Sequence, residues 1–149
     1  MQLISEFMSA DHAKLDRTFE EFQRQQSRDM AKAKLLFDQF MAGLQGHIIQ
    51  EEELLFPIFE KRSGMTDGGP TAVMRMEHGK IKGFLEEMNA RLLAGISENL
   101  DELGVALLEL LISHNQKEES ILYPAIDRMV TDEERKTLLG DMANLCPTQ

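Results

Sequence analysis

Apolar residues recur at alternating steps of three and four through four long stretches of the chain, and at one level of each stretch a His or Glu takes the apolar place. That period is the seam of helices packed side by side. The first stretch carries Met8, His12, Leu15, Phe19 and Phe22, and the second Phe37, Phe40, Leu44, His47, Glu51, Leu54 and Ile58. Met74, His78, Ile81, Leu85, Met88 and Leu92 form the third. The fourth runs Leu100, Leu103, Leu107, Leu111, His114, Glu118, Ile121, Ala125. Met8, Met74 and Met88 read as soft fillers of the core.

The pattern is duplicated. Asp11-His12-Ala13-Lys14-Leu15 aligns with Glu77-His78-Gly79-Lys80-Ile81 at an offset of 66, and the run from His47 to Pro57 aligns with the run from His114 to Pro124 at an offset of 67. Each half is a helical hairpin with one His on its first helix and His-x-x-x-Glu on its second. Pro57 and Pro124 fall at matching places inside helical patterns, where each is expected to bend its helix or end it locally.

Breaks are few. Ser27-Arg28-Asp29 interrupts the first pattern, and Ser63 to Pro70 is a loop. Gly95 supplies a C-cap followed by Ser97 as an N-cap, and Thr131-Asp132-Glu133-Glu134 has the form of a capping box. The predicted helices are about 5–26, 28–62, 71–94 and 98–129, with a short one near 132–143. No stretch alternates as a strand does. The 149 residues, 42% hydrophobic and 28% charged, suit a single domain with a buried core at about 5–129. Short connections between long amphipathic helices point to an all-α, antiparallel up-down four-helix bundle with a short C-terminal helix.

Charge narrows the partners. The chain has 26 Asp and Glu against 16 Lys and Arg, a net charge of -10, which disfavours nucleic acid and anionic lipid. No apolar run reaches the roughly 20 residues of a membrane span. The start MQLISEFMSADH lacks the basic and apolar regions of a secretory signal, and the single cysteine, Cys146, forms no internal disulfide. A cytoplasmic location is the expectation, and no chemistry is assigned to Cys146.

His47 and Glu51 are four apart, as are His114 and Glu118, so each pair faces one way on its helix. Glu52 and Glu119, five from their His, should point elsewhere. The turn near Ile96 brings His78 and His114 level, and His12 and His47 nearly so. A lone His on such a seam is ordinarily a hydrogen-bonded core residue. Four together with two Glu, and with no Lys or Arg on the same seams, leave buried acids without a countercharge. An unpaired buried carboxylate costs several kcal/mol, and bound cations would supply the missing charge. The candidate metal ligands are therefore His12, His47, Glu51, His78, His114 and Glu118. Glu77 stands beside them as a further carboxylate near an entry path. No P-loop, dinucleotide fingerprint, Cys-x-x-Cys pair or nucleophile elbow is present.

These motifs, with Leu55-Phe56-Pro57 and Leu122-Tyr123-Pro124 following the two His-x-x-x-Glu-Glu runs, resemble the hemerythrin-like HHE cation-binding family from about Ser9 to Met129. The resemblance implies a four-helix bundle holding two iron ions. The four His would be terminal ligands, Glu51 and Glu118 would bridge the ions, and a solvent-derived oxygen would form a further bridge. The family's oxygen carriers use a fifth His, but Met74 and Lys82 stand at the candidate places on either side of His78. Each ion would then keep an open position for a gaseous or peroxide ligand such as dioxygen, nitric oxide or hydrogen peroxide.

Two other functions remain open at this point. One is nitrosative-stress or iron–sulfur repair, whose members also use four His and two Glu but often carry a cysteine-bearing segment ahead of the bundle. The other is a non-redox zinc or manganese module, because imidazole and carboxylate accept several first-row metals.

Overall fold

A computed structural model describes residues 2–146, and every regular element among the described residues is helical. The α-helices are α1 (Ile4–Gln25), α2 (Met30–Gln50), α3 (Phe56–Ser63), α4 (Pro70–Ala94), α5 (Leu100–Lys117), α6 (Tyr123–Met129) and α7 (Asp132–Leu145). A π-helical segment, Glu51–Leu55, joins α2 to α3, and another, Glu118–Leu122, joins α5 to α6. The chain thus forms a bundle of helical rods in which α1 packs on α2 and α6, and α4 packs on α5.

Local chemistry sets most of the ends. Asp29 caps α2 by accepting from the Lys32 N–H at 3.1 Å, so that helix starts at Met30 rather than near 28. Gly95 closes α4 at φ 70, in the left-handed region where a Cβ would strain the backbone. The expected Ser97 cap does not form. Asn99 takes the N-cap place at φ 59, a conformation its short polar side chain tolerates, and Ser97 accepts the Leu100 N–H only through its backbone carbonyl. Thr131 and Glu134 do close a capping box, at 3.1 and 2.9 Å.

Pro57 and Pro124 do not end their helices. Each stands in the first turn of the α-helix that follows a π segment. A proline offers no N–H, and the widened turn before it accommodates the loss: Phe56 N–H reaches Glu51 O and Tyr123 N–H reaches Glu118 O. Each widened turn contains one residue more than an α-turn, and one residue is about 100° of helix rotation. The inward stripe therefore slips by one. Leu54 and Ile58, expected inside, are half-buried, while Leu55 and Phe59 are buried. In the second hairpin Ile121 is 58% exposed and Ala125 only half-buried, while Leu122 and Ile126 are buried. A constant three-four period could not show this slip.

The core has two parts. One gathers Leu15, Phe19, Phe22, Phe37, Phe40, Leu44, Ile81, Leu85, Met88, Leu107 and Leu111, with the Phe19 and Phe40 rings 4.8 Å apart. Burying each such side chain stabilises the fold by about 1.5–3 kcal/mol. The other gathers Ile4, Met8, Leu55, Phe56, Phe59, Met74, Leu122, Tyr123 and Ile126, and Leu138 and Met142 of α7 pack into it. The C-terminal helix thus seals the second part. Asp127 of α6 also ties this end together, accepting from the Ile4 and Ser5 N–H groups of α1 at 2.8 and 3.0 Å and from Arg135 Nε of α7 at 3.0 Å. Among the described residues no helix is long and apolar enough to cross a membrane.

Candidate metal centre

Along every rod the two apolar parts are separated by the same interruption. His12 lies between Met8 and Leu15, and His47 and Glu51 between Leu44 and Leu55. His78 lies between Met74 and Ile81, and His114 and Glu118 between Leu111 and Leu122. All six are buried, Glu51 and Glu118 at 0% exposure. The structure brings the six together: ligand-type atoms of Glu51, His78, His114 and Glu118 lie within 4.8 Å of one another, as do those of His12, His47 and Glu118.

Each carboxylate spans both groups. Glu51 turns Oε1 to His78 Nε2 at 3.1 Å and Oε2 toward His47 Nε2 at 3.8 Å. Glu118 turns Oε1 to His12 Nε2 and Oε2 to His114 Nε2, both at 3.2 Å. The π segments begin at these two residues, so the turn that accommodates each proline also carries each carboxylate.

Glu51 Oε1, His78 Nε2 and Glu118 Oε2 are buried with no hydrogen-bond partner. Their close neighbours are at hydrogen-bond distance but are not aligned for one; the atoms aim at a common space. Orphaned buried polar atoms cost about 1–3 kcal/mol each, so a native site that holds several has a reason for them. Nitrogen and carboxylate oxygen donors fit a first-row divalent or trivalent cation. The donor set and its convergence fit a metal.

The electrostatics describe a site short of positive charge. Burial and the neighbouring Glu118 push the Glu51 carboxyl well above its ordinary range. Burial opposes ionisation of Glu118 too, but the close Glu51, His114 and His12 groups hold it well below. Side by side, the two acids oppose each other's ionisation. Burial lowers His47, and it lowers His78 to about 4. Burial also works to lower His114, but the Glu118 and Glu77 carboxylates outweigh it and raise that imidazole.

The far sides of the rings are held by carboxylates that sequence reasoning assigned elsewhere or missed. Asp11 Oδ2 meets His47 Nδ1 at 2.8 Å, Glu77 Oε1 meets His114 Nδ1 at 2.9 Å, and Glu52 Oε2 meets His78 Nδ1 at 2.7 Å. Glu77, expected as a further carboxylate nearby, is an outer partner of His114; its second oxygen accepts from Lys117 Nζ at 2.6 Å. Glu52 does point away from His47, but onto the His of the neighbouring helix. Despite burial, Asp11 and Glu77 are held below the ordinary range by their imidazoles and, for Glu77, by Lys117. An ionised carboxylate only accepts, so Nδ1 donates and the Nε2 lone pair of each ring faces the centre. The duplication carried the signal, since Asp11 and Glu77 each precede an inward His.

Tyr123 is the other residue missed. Its ring is fully buried and its hydroxyl lies among the inner atoms of His12, His47, Glu51 and Glu118. Burial, with the charges of Glu51 and Glu118, raises its phenol well above the ordinary value. Cys146 lines a cleft between α1 and α2 with Asp11, Gly46 and His47, on the outer side of the His47 and Asp11 pair. A second cleft, lined by His12, Asp16 and Glu119, opens between α1 and α5.

Comparison with known proteins agrees with the geometry. Over 131 residues the chain is 28% identical to a protein of Nostoc sp. named "DNA nickase", a match that covers 88% of this chain and 35% of that protein. The chain therefore spans about a third of the relative's length. No solved structure matches it. Residues 3–126 match the model of the hemerythrin HHE cation-binding domain, a span that contains all six converging groups, and the chain belongs to that family.

Proposed function

We propose that the chain is a cytoplasmic non-haem di-iron protein that binds or reacts with dioxygen, nitric oxide or hydrogen peroxide. The carrying observation is the placement of Glu51 and Glu118, each with one oxygen toward the His12 and His47 pair and the other toward the His78 and His114 pair. Two cations sharing two carboxylates is the arrangement such a placement serves. His12, His47, Glu51, His78, His114 and Glu118 are the proposed ligands, at the middle of an antiparallel up-down four-helix core within one domain.

Held by these six residues, reduced iron would supply electrons to a small ligand. The chain's own groups do the rest. Asp11, Glu52 and Glu77 orient the imidazoles, and the apolar parts above and below exclude water. The absence of a fifth His supports a centre open to exogenous ligand. A net charge of -10 speaks against a nucleic-acid partner, so the activity in the Nostoc relative's name is not carried over.

Metal analysis and optical spectroscopy on the purified full chain test the reading. Two irons per chain and a near-UV or visible change on exposing the reduced protein to dioxygen or nitric oxide are expected. Zinc or manganese in place of iron, or two irons with no response to either gas, would overturn it. Iron delivered to an apo-cluster acceptor would move the function to iron–sulfur repair. Metal that binds the folded chain also adds stability by mass action, so chelation should lower the melting temperature.

A further inference from the structure

The two halves of the centre are not equivalent, and one difference between them is a single oxygen atom. Position 56 of the first hairpin and position 123 of the second are duplicates, but the first is Phe and the second is Tyr. Phe56 stacks on the His78 ring, 5.6 Å between centroids and 13° between planes, and brings no polar atom to that half. Tyr123 puts its hydroxyl 2.7 Å from Glu51 Oε2, 3.0 Å from Glu118 Oε1, 3.2 Å from His47 Nε2 and 3.3 Å from His12 Nε2.

Those four atoms are the ones that face the His12 and His47 half. The hydroxyl thus stands where the donors of that half converge, whereas Glu51 Oε1, Glu118 Oε2 and His78 Nε2 of the other half converge with no partner. A cation held by the four donors must meet this oxygen. The ring has no way aside, because it is fully buried and packed in the apolar part with Ile4, Met8 and Ile126.

We propose that Tyr123, as phenolate, is a ligand of the iron held by His12 and His47, and that exogenous ligand binds on the His78 and His114 side. This rests on the di-iron reading above and deepens it. On loading, the phenol O–H bond gives way to an oxygen–metal bond and the proton leaves to solvent; a bound cation is what makes that loss favourable. The phenolate fills the position that two imidazoles and shared carboxylates would leave open on that ion. The other ion keeps its opening, walled by Phe56.

Tyr123 is the single tyrosine of the chain, so any tyrosinate signal belongs to it. The ferric full-length protein should show a visible phenolate-to-iron charge-transfer band. Resonance Raman excitation into that band should enhance phenolate ring modes, which move when the protein is made with ring-deuterated tyrosine. Tyr123→Phe, whose ring the duplicate position already accommodates, should keep two irons, lose the band, and bind two azide ions where the parent binds one. A parent protein with two ferric irons and no phenolate modes overturns the proposal and leaves the di-iron reading standing. Equal azide stoichiometry in parent and variant overturns the assignment of the open side. A chain that takes up no iron overturns the di-iron reading, and this proposal with it.

Discussion

Glu119 Oε1 stands 3.8 Å from Nδ1 of His12, while its duplicate, Glu52, closes on Nδ1 of His78 at 2.7 Å. Three of the four imidazoles therefore have a carboxylate behind them, and His12 Nδ1 is buried without a hydrogen-bond partner. Outer partners of this kind typically contribute 10–100-fold to metal affinity. Asp11→Asn, Glu52→Gln and Glu77→Gln should each weaken metal binding by about that factor in a chelator competition titration. Glu119→Gln should change it less than about threefold. Equal losses at all four positions would mean that general negative charge, not ring orientation, sets the affinity.

Glu51 is costly to the empty protein and needed by the loaded one. Gln at this position still accepts from Tyr123 but removes the second buried acid beside Glu118. Metal-free Glu51→Gln should melt about 2–4 °C above the metal-free parent, a gain on the order of 1 kcal/mol. The same variant should hold less metal and lose the extra stability that metal confers. Melting curves with and without chelator check both halves of the statement.

Acid should destabilise the metal-free protein. The folded pKa of His78 is about 4 because burial disfavours its charged form, against an ordinary 6.5. Between these values the unfolded chain binds the extra proton, so stability is fully present above about pH 6.5 and falls as pH drops toward 4. The contribution is on the order of 3 kcal/mol. His47, also lowered, acts in the same direction; His114, raised, acts in the opposite one. Urea unfolding of chelated protein from pH 7 to 5 should show the fall, and His78→Gln should flatten it.

The π turn is a counted insertion. Deleting the exposed residue Glu53 removes it, so Leu55, Phe56 and Phe59 stay near the seam of an unwidened helix while Pro57 loses the wide turn that accommodates it. A proline inside an ordinary α-turn costs about 3 kcal/mol. The deletion variant should stay helical by circular dichroism and melt cooperatively, at a lower temperature than the parent. A melt at the parent's temperature would show that Pro57 needs no widened turn, and loss of the cooperative melt would show that the seam does not survive the deletion.

The sequence by itself determined the helices, the two hairpins and the six inward groups. Their spacing is a local property: an i, i+4 pair faces one way whatever packs against it. Everything set between helices was decided by the tertiary structure. The slip from Leu54 to Leu55 and from Ile121 to Leu122 follows from a change of helical pitch, which a fixed period cannot represent. Glu52 reaches the ring of His78 because another helix stands beside it. The hydroxyl of Tyr123 enters one half of the centre for the same reason: the pitch change turns that residue inward at the level where His12 and His47 of the other hairpin come in.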